Sequence, residues 1–176
     1  MRLVRRSLVL LALALPVLGV AASTSQAAAR SGVVQVWVTP GKGPTSSIVL
    51  TGAIGDYGTS LYVDKSGKVT INGQYQKVTL QRGGFMVNTV ALSQKALVAN
   101  RHVNVATCSF HFAVTANATL SGGTGAYRGI RGVFRMTEQF AGVGAIESGQ
   151  CTLPSSARML ALWGSITGQG AVTFGS

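Results

Sequence analysis

The chain is short of acid. Its 176 residues hold 4 Asp+Glu against 15 Lys+Arg, and charged residues of both signs make up only 11%. With 23 glycines and so little Glu and Lys, long helices would lack support, which excludes a coiled coil or helical bundle. Long charged tracts are absent while 47% of the residues are apolar, which argues against disorder. Cysteine and histidine are scarce as well, two of each. No Cys-x-x-Cys occurs, and His102 and His111 alone do not compose a metal site, so no metal is expected. There is no Gly-x-Ser-x-Gly elbow, no Ser-x-x-Lys, no His-Glu-x-x-His and no phosphate-binding Gly-x-x-x-x-Gly-Lys-[Ser/Thr], and no cofactor is implied. Glycosidase chemistry needs two facing carboxyls, and only Asp56 and Glu138 are eligible.

A long hydrophobic run occurs once. Arg2, Arg5 and Arg6 form a basic start, and Ser7 to Ala22 follow as an apolar stretch interrupted by Pro16. That stretch falls short of the roughly 20 residues that cross a bilayer. It leads to Ser25-Gln26-Ala27 and Ala27-Ala28-Ala29, small residues at the spacing a signal peptidase reads. Residues 1–29 therefore read as a signal peptide, and residues 30–176 as one domain of roughly 147 residues. Arg5-Arg6 resembles a twin-arginine signal but its flanks fit poorly, so the export route stays open. No cysteine follows the run to carry a lipid, and no second segment reaches membrane length. The expectation is a secreted, soluble, extracellular protein.

Export decides how the cysteines read. Outside the cell, Cys108 and Cys151 are most simply a disulfide closing a loop of about 44 residues. The competing reading, a catalytic or metal-binding thiol, lacks a partner pattern. Loss of three leader arginines leaves 12 basic residues against 4 acidic ones, a net charge of about +8. The cations are scattered, with only Arg128, Arg131 and Arg135 close together, and no stacking motif accompanies them, so nucleic acid is not an expected partner. An anionic cell-surface polymer fits better. Association of copies of the chain is left open.

Apolar residues recur with period two. From Cys108 the even positions read Cys, Phe, Phe, Val, Ala, Ala, Leu, while the odd ones from Ser109 to Thr119 are mostly polar. That is a long strand with one greasy face. Val34, Val36 and Val38 alternate likewise, as do Val78 with Leu80, and Ile166, Val172 and Phe174 near the end, where Gly168 and Gly170 intervene. Glycine inside a strand suggests coiling or a bulge. Asp64 to Lys68 spells a tight hairpin with Gly67 at positive φ, and Asn72-Gly73 is the best two-residue hairpin turn. Val90 to Asn100 permits a short helix. About eight or nine strands in this length predict an all-β fold, a closed antiparallel eight-stranded barrel, with a β-sandwich as the alternative.

Ser121 to Gly132, SGGTGAYRGIRG, resembles the glycine-rich segment GGTGxYxGxxG of the dirigent and allene oxide cyclase-like barrel proteins. Leu50 to Gly58 resembles small secreted actinobacterial proteins carrying that barrel. The two segments cover about a fifth of the mature chain. The resemblance implies an eight-stranded barrel with an apolar lumen, which in the plant members holds a reactive small molecule and steers its ring closure or coupling. Their lumen carboxylates and arginines have no matching positions here, so no catalytic residue carries over. The spacing Gly123-x-Gly125-x-x-x-Gly129 also resembles a dinucleotide loop, but a β-run over Val133 to Ala141 follows where a helix would have to open.

The residues then suggest where chemistry would sit. Phe134, Met136, Glu138 and Phe140 share one strand face, so a lumen-facing Glu138 would hold its carboxyl among aromatic rings, where burial raises its pKa. The plainer alternative is a Glu138 in water at the mouth, or paired with an arginine. Asp56, with Tyr57 beside it in a glycine-flanked break, would orient a ligand hydroxyl or simply cap its own turn. Glu138 and Asp56 are the catalytic candidates. Phe110, Phe112, Phe134, Met136, Phe140 and Tyr57 would supply a wall for an apolar small molecule, whose spontaneous cyclisation could be guided by shape and one polar group. The alternative is a non-enzymatic, envelope-associated protein whose Arg128, Arg131 and Arg135 meet anionic polymer. A cavity of about 300 Å³ or more with Glu138 in its wall favours the first; a barrel packed solid favours the second.

Overall fold

The structure, a computed structural model, describes residues 29–41, 43–99, 101–153 and 158–175. Residues 1–28 of the proposed signal peptide, Lys42 and Asn100 lie outside the described residues. The chain runs β1 (Gly32–Pro40), β2 (Thr45–Gly52), β3 (Asp56–Val63), β4 (Tyr75–Leu80), β5 (Gly83–Asn88), α1 (Val90–Leu97), β6 (His102–Asn104), β7 (Ser109–Gly125), β8 (Ile130–Gly144), β9 (Ile146–Glu147), β10 (Gln150–Cys151) and β11 (Met159–Phe174).

Pairing follows the order β5-β4-β3-β2-β1-β11-β8-β7, and β5 returns to pair with β7, all antiparallel. The sheet thus closes into an eight-stranded barrel, and β6 adds to the free part of β7. Closure removes sheet edges that would otherwise template aggregation. The even phase of β7 faces inward, as its alternation predicts: Ala116, Ala118 and Leu120 are buried, while Asn117 and Thr119 are exposed. Phe134 sits opposite Ala118 and Phe110 opposite Gly142 in one continuous register, so Phe110 and Phe134 share a face. Val34, Val36, Val38, Ile48, Leu50, Val78, Leu80, Phe134, Ile166 and Val172 form the core.

The strand glycines do something other than bulge. The β8–β11 register runs unbroken through Gly168 and Gly170, and its single irregularity lies at Met159/Ala161. A Cβ on Gly168 would lie 2.3 Å from Met136 Sδ, and one on Gly170 would lie 2.5 Å from Phe134 Cδ1. These glycines are the hollows into which the large side chains of β8 fit, the cross-strand pairing of glycine with a bulky neighbour.

Turns follow their chemistry with one exception. Asp64 Oδ1 accepts from Ser66 N, Ser66 Oγ and Lys68 N at 2.6–3.0 Å, and Gly67 takes φ 88°. Asn72-Gly73 is not a mirror-image hairpin turn, because Gly73 has no positive φ. Gly73 is needed for space: a Cβ there would meet the Val63 backbone at 2.5 Å. In the glycine-rich segment Tyr127 N bonds Thr124 O and Ile130 N bonds Tyr127 O, forming the tight turn between β7 and β8. No helix opens there, which removes the dinucleotide reading.

The barrel ends differ. One is plugged by Tyr127, which is fully buried. At the other, β7, β8 and β11 run on past the ends of β1–β5, and α1 leans against β7 with Leu92 buried and Lys95 Nζ 2.8 Å from Thr115 O. Cys108 and Cys151 are disulfide-bonded and tie the start of β7 to the β9–β10 hairpin. Among the described residues no helix is long and apolar enough to cross a membrane.

Candidate functional site

The plugged end holds the tightest polar cluster. Asp56 is buried at the start of β3. Its carboxylate accepts from Tyr57 N at 2.8 Å, Arg82 N at 3.2 Å, Arg82 Nε at 3.3 Å and the Tyr127 hydroxyl. Arg82 also donates to the Ile54 carbonyl at 2.5 Å and lies 5.9 Å from the Tyr127 ring centre, against which Phe85 packs edge-on. Burial pushes the Asp56 carboxyl up, but hydrogen bonds from Tyr127, Tyr57 and Arg82 outweigh it and hold the group below its ordinary value. The same burial, with Asp56 alongside, drives the Tyr127 hydroxyl well above its usual range. This is a structural lock. Asp56 has no orientation left to give a ligand, and Tyr57, expected at the ligand, faces outward and is 54% exposed.

The open end holds the cavity. It has a volume of about 380 Å³, within the range of small-molecule sites. Glu138 and Ile166, paired across β8 and β11, form one side with Phe112 of β7. Tyr62 and Gln76, paired across β3 and β4, form another. The loop Ile71–Gln74 and the α1 residues Leu92, Ser93, Ala96 and Leu97 make up most of the rest, with Arg101 also in the lining.

Glu138 projects inward because it continues the buried phase of Phe134 and Met136. Among the described residues it makes no ion pair or hydrogen bond. Burial raises its pKa, and no neighbouring charge or hydrogen bond offsets the lost hydration. It is neither in open water nor paired with an arginine. Burial and the neighbouring Glu138 charge push the Tyr62 hydroxyl up to about 12, against an opposing hydrogen bond with Gln76. Ser60 Oγ donates to Gln76 Oε1 at 2.9 Å, which fixes the amide. A carboxyl and a phenol thus share one space of mixed polar and apolar lining, both biased toward their protonated forms.

Of the expected wall, Phe112 and Glu138 line this cavity. Phe134 and Met136 lie inside but are packed solid against Gly170 and Gly168. Phe140 stacks on Phe112 at 5.5 Å and Phe110 stacks on the same Phe112 at 6.4 Å, and neither lines the space. Arg101 lies 5.7 Å over the Phe112 ring. Tyr62, Gln76 and Thr89 went unread in the sequence. Gln76 was within reach, because it extends the inward phase of Val78 and Leu80 by one step. Tyr62 was not, because both phases of β3 mix polar and apolar residues. His102 and His111 are exposed and stack at 5.8 Å, and no cluster among the described residues offers three metal-binding side chains.

Comparison with protein-family models, with curated proteins and with solved structures returns no match.

Proposed function

We propose that the open-end cavity binds a small, mostly apolar molecule carrying a hydrogen-bonding group that meets Glu138 and Tyr62. The observation that carries this reading is the volume of about 380 Å³ with a half-buried, unpaired carboxyl in its wall. An unpartnered carboxyl taken partly out of water costs stability, and a ligand hydroxyl or amine would relieve that cost. An enzymatic form of the proposal is steering of a cyclisation or coupling, for which confinement supplies most of the effect. The resemblance of Ser121 to Gly132 to the dirigent and allene oxide cyclase-like proteins supports this form, and the barrel agrees with it. We place the protein outside the cell, on the strength of the leader and the disulfide.

Native mass spectrometry of protein purified from its source tests the reading through a co-purifying small molecule. Thermal melting against a panel of apolar alcohols, phenols and amines is the second arm. An upward shift that Glu138→Leu abolishes is expected. Empty protein together with unchanged melting across the panel would overturn the proposal. Amino-terminal sequencing of the extracellular protein is expected to begin near Arg30.

A further inference from the structure

The outer wall carries a second arrangement, unrelated to the cavity. Outward-facing residues of six adjacent strands fall into one cross-strand row: Tyr57, Val49, Trp37, Thr167, Thr137 and Thr115. Beside it runs a second row, Thr51, Gln35, Gln169, Arg135 and Asn117. Trp37 is 51% exposed, although a large aromatic on a barrel of this kind has an interior available to it. A shallow groove of about 300 Å³ runs between the rows, lined by Gln35, Trp37, Thr167, Gln169, Arg135 and Thr137.

Composition and charge narrow the occupant. Side-chain amides and hydroxyls present paired donors and acceptors at fixed spacing, which suits a ligand rich in hydroxyls. The negative face of an indole attracts the polarised C–H groups on the flat face of a pyranose ring. Strands lie about 4.8 Å apart, close to the advance per sugar of an extended glycan, so a chain laid along a row meets successive strands in step. Arg135 makes no ion pair or hydrogen bond among the described residues, and Arg131 follows the same outward phase of β8. None of the four acids shares this wall: Asp56 is buried, Asp64 is in the β3–β4 hairpin, Glu138 is in the cavity and Glu147 is in β9. A negatively charged ligand is therefore met by cations alone.

We infer that this wall binds an acidic polysaccharide, with sugar rings stacked on Trp37 and Tyr57, hydroxyls held by Gln35 and Gln169, and a uronate carboxylate paired with Arg135. The site turns a diffuse basic charge into a specific one.

Native gels cast with polygalacturonate, with neutral dextran, or with polyphosphate test the inference. Retardation by polygalacturonate beyond that by dextran is expected. Trp37→Ala should weaken it about tenfold, the loss typical of an aromatic anchor. Arg135→Gln should narrow the gap between polygalacturonate and dextran, and Lys65→Gln, in a distant hairpin, should leave retardation unchanged. All three positions are exposed, so unchanged melting certifies the fold. With Trp163→Phe, Trp37 is the chain's remaining tryptophan, and polygalacturonate should shift its emission. The inference is overturned by no retardation in any gel. Retardation that polyphosphate matches and Trp37→Ala leaves untouched would overturn it too, because charge alone would then suffice.

Discussion

At the scale of single residues, the two inward-facing carboxyls stand in opposite conditions. Asp56 is held by four donors and titrates low; Glu138 has none and titrates high. Their pH dependences therefore have opposite signs. A depressed pKa contributes stability above the unfolded value near 3.8, lost as pH falls through the folded value. Tyr127→Phe removes one of those donors and should cost about 1–3 kcal/mol in chemical denaturation at neutral pH, with a smaller deficit in acid. A raised pKa works the other way: the folded state holds the proton longer, so stability declines as pH climbs above the unfolded value near 4.5. Glu138→Gln should accordingly raise the melting temperature at pH 7, and the gain should vanish below that value. A variant that melts lower than the parent at pH 7 would mean that Glu138 has a partner.

At the scale of elements, glycine decides how the strands meet. A Cβ at Gly170 would come within 2.0 Å of the Val133 carbonyl, which is backbone and cannot swing aside. Gly170→Ala should destabilise by about 1–3 kcal/mol or more through overpacking. Gly67, by contrast, has open space around its Cβ position and φ 88°, so Gly67→Ala should cost only about 1 kcal/mol of local strain. Urea titration of both variants separates crowding from conformation. The disulfide belongs to this scale too. Replacing Cys108 and Cys151 together by Ser should lose about 2–4 kcal/mol, while circular dichroism keeps its β signature because the bridge lies beyond the closed barrel.

At the scale of the molecule, closure joins distant segments. β5 meets β7 across a separation that sets Gly83 against Gly125, and β1 meets β11, so hairpins of neighbouring strands are joined into a closed barrel by pairings between distant segments. Opening one strand exposes both its neighbours. Amide hydrogen exchange should therefore group β1–β5 and the barrel-forming parts of β7, β8 and β11 into a single slow class, with β6 and the β9–β10 hairpin exchanging sooner. A β1 that exchanges as fast as β6 would contradict this.

Much of this was legible in the sequence because a strand's side chains alternate strictly, so the phase of the apolar residues separates inside from outside. The inward carboxyl at Glu138, the hairpin at Asp64 and the helix after Val90 follow from spacing and turn chemistry that act over a few residues. The rest depended on contacts between residues far apart in the chain. Only closure brings Arg82 and Tyr127 onto Asp56, plugs one end and leaves the other open, and sets Tyr62 and Gln76 across from Glu138. Alternation fixes which face a side chain takes; only the paired register of all eight strands fixes what it finds there.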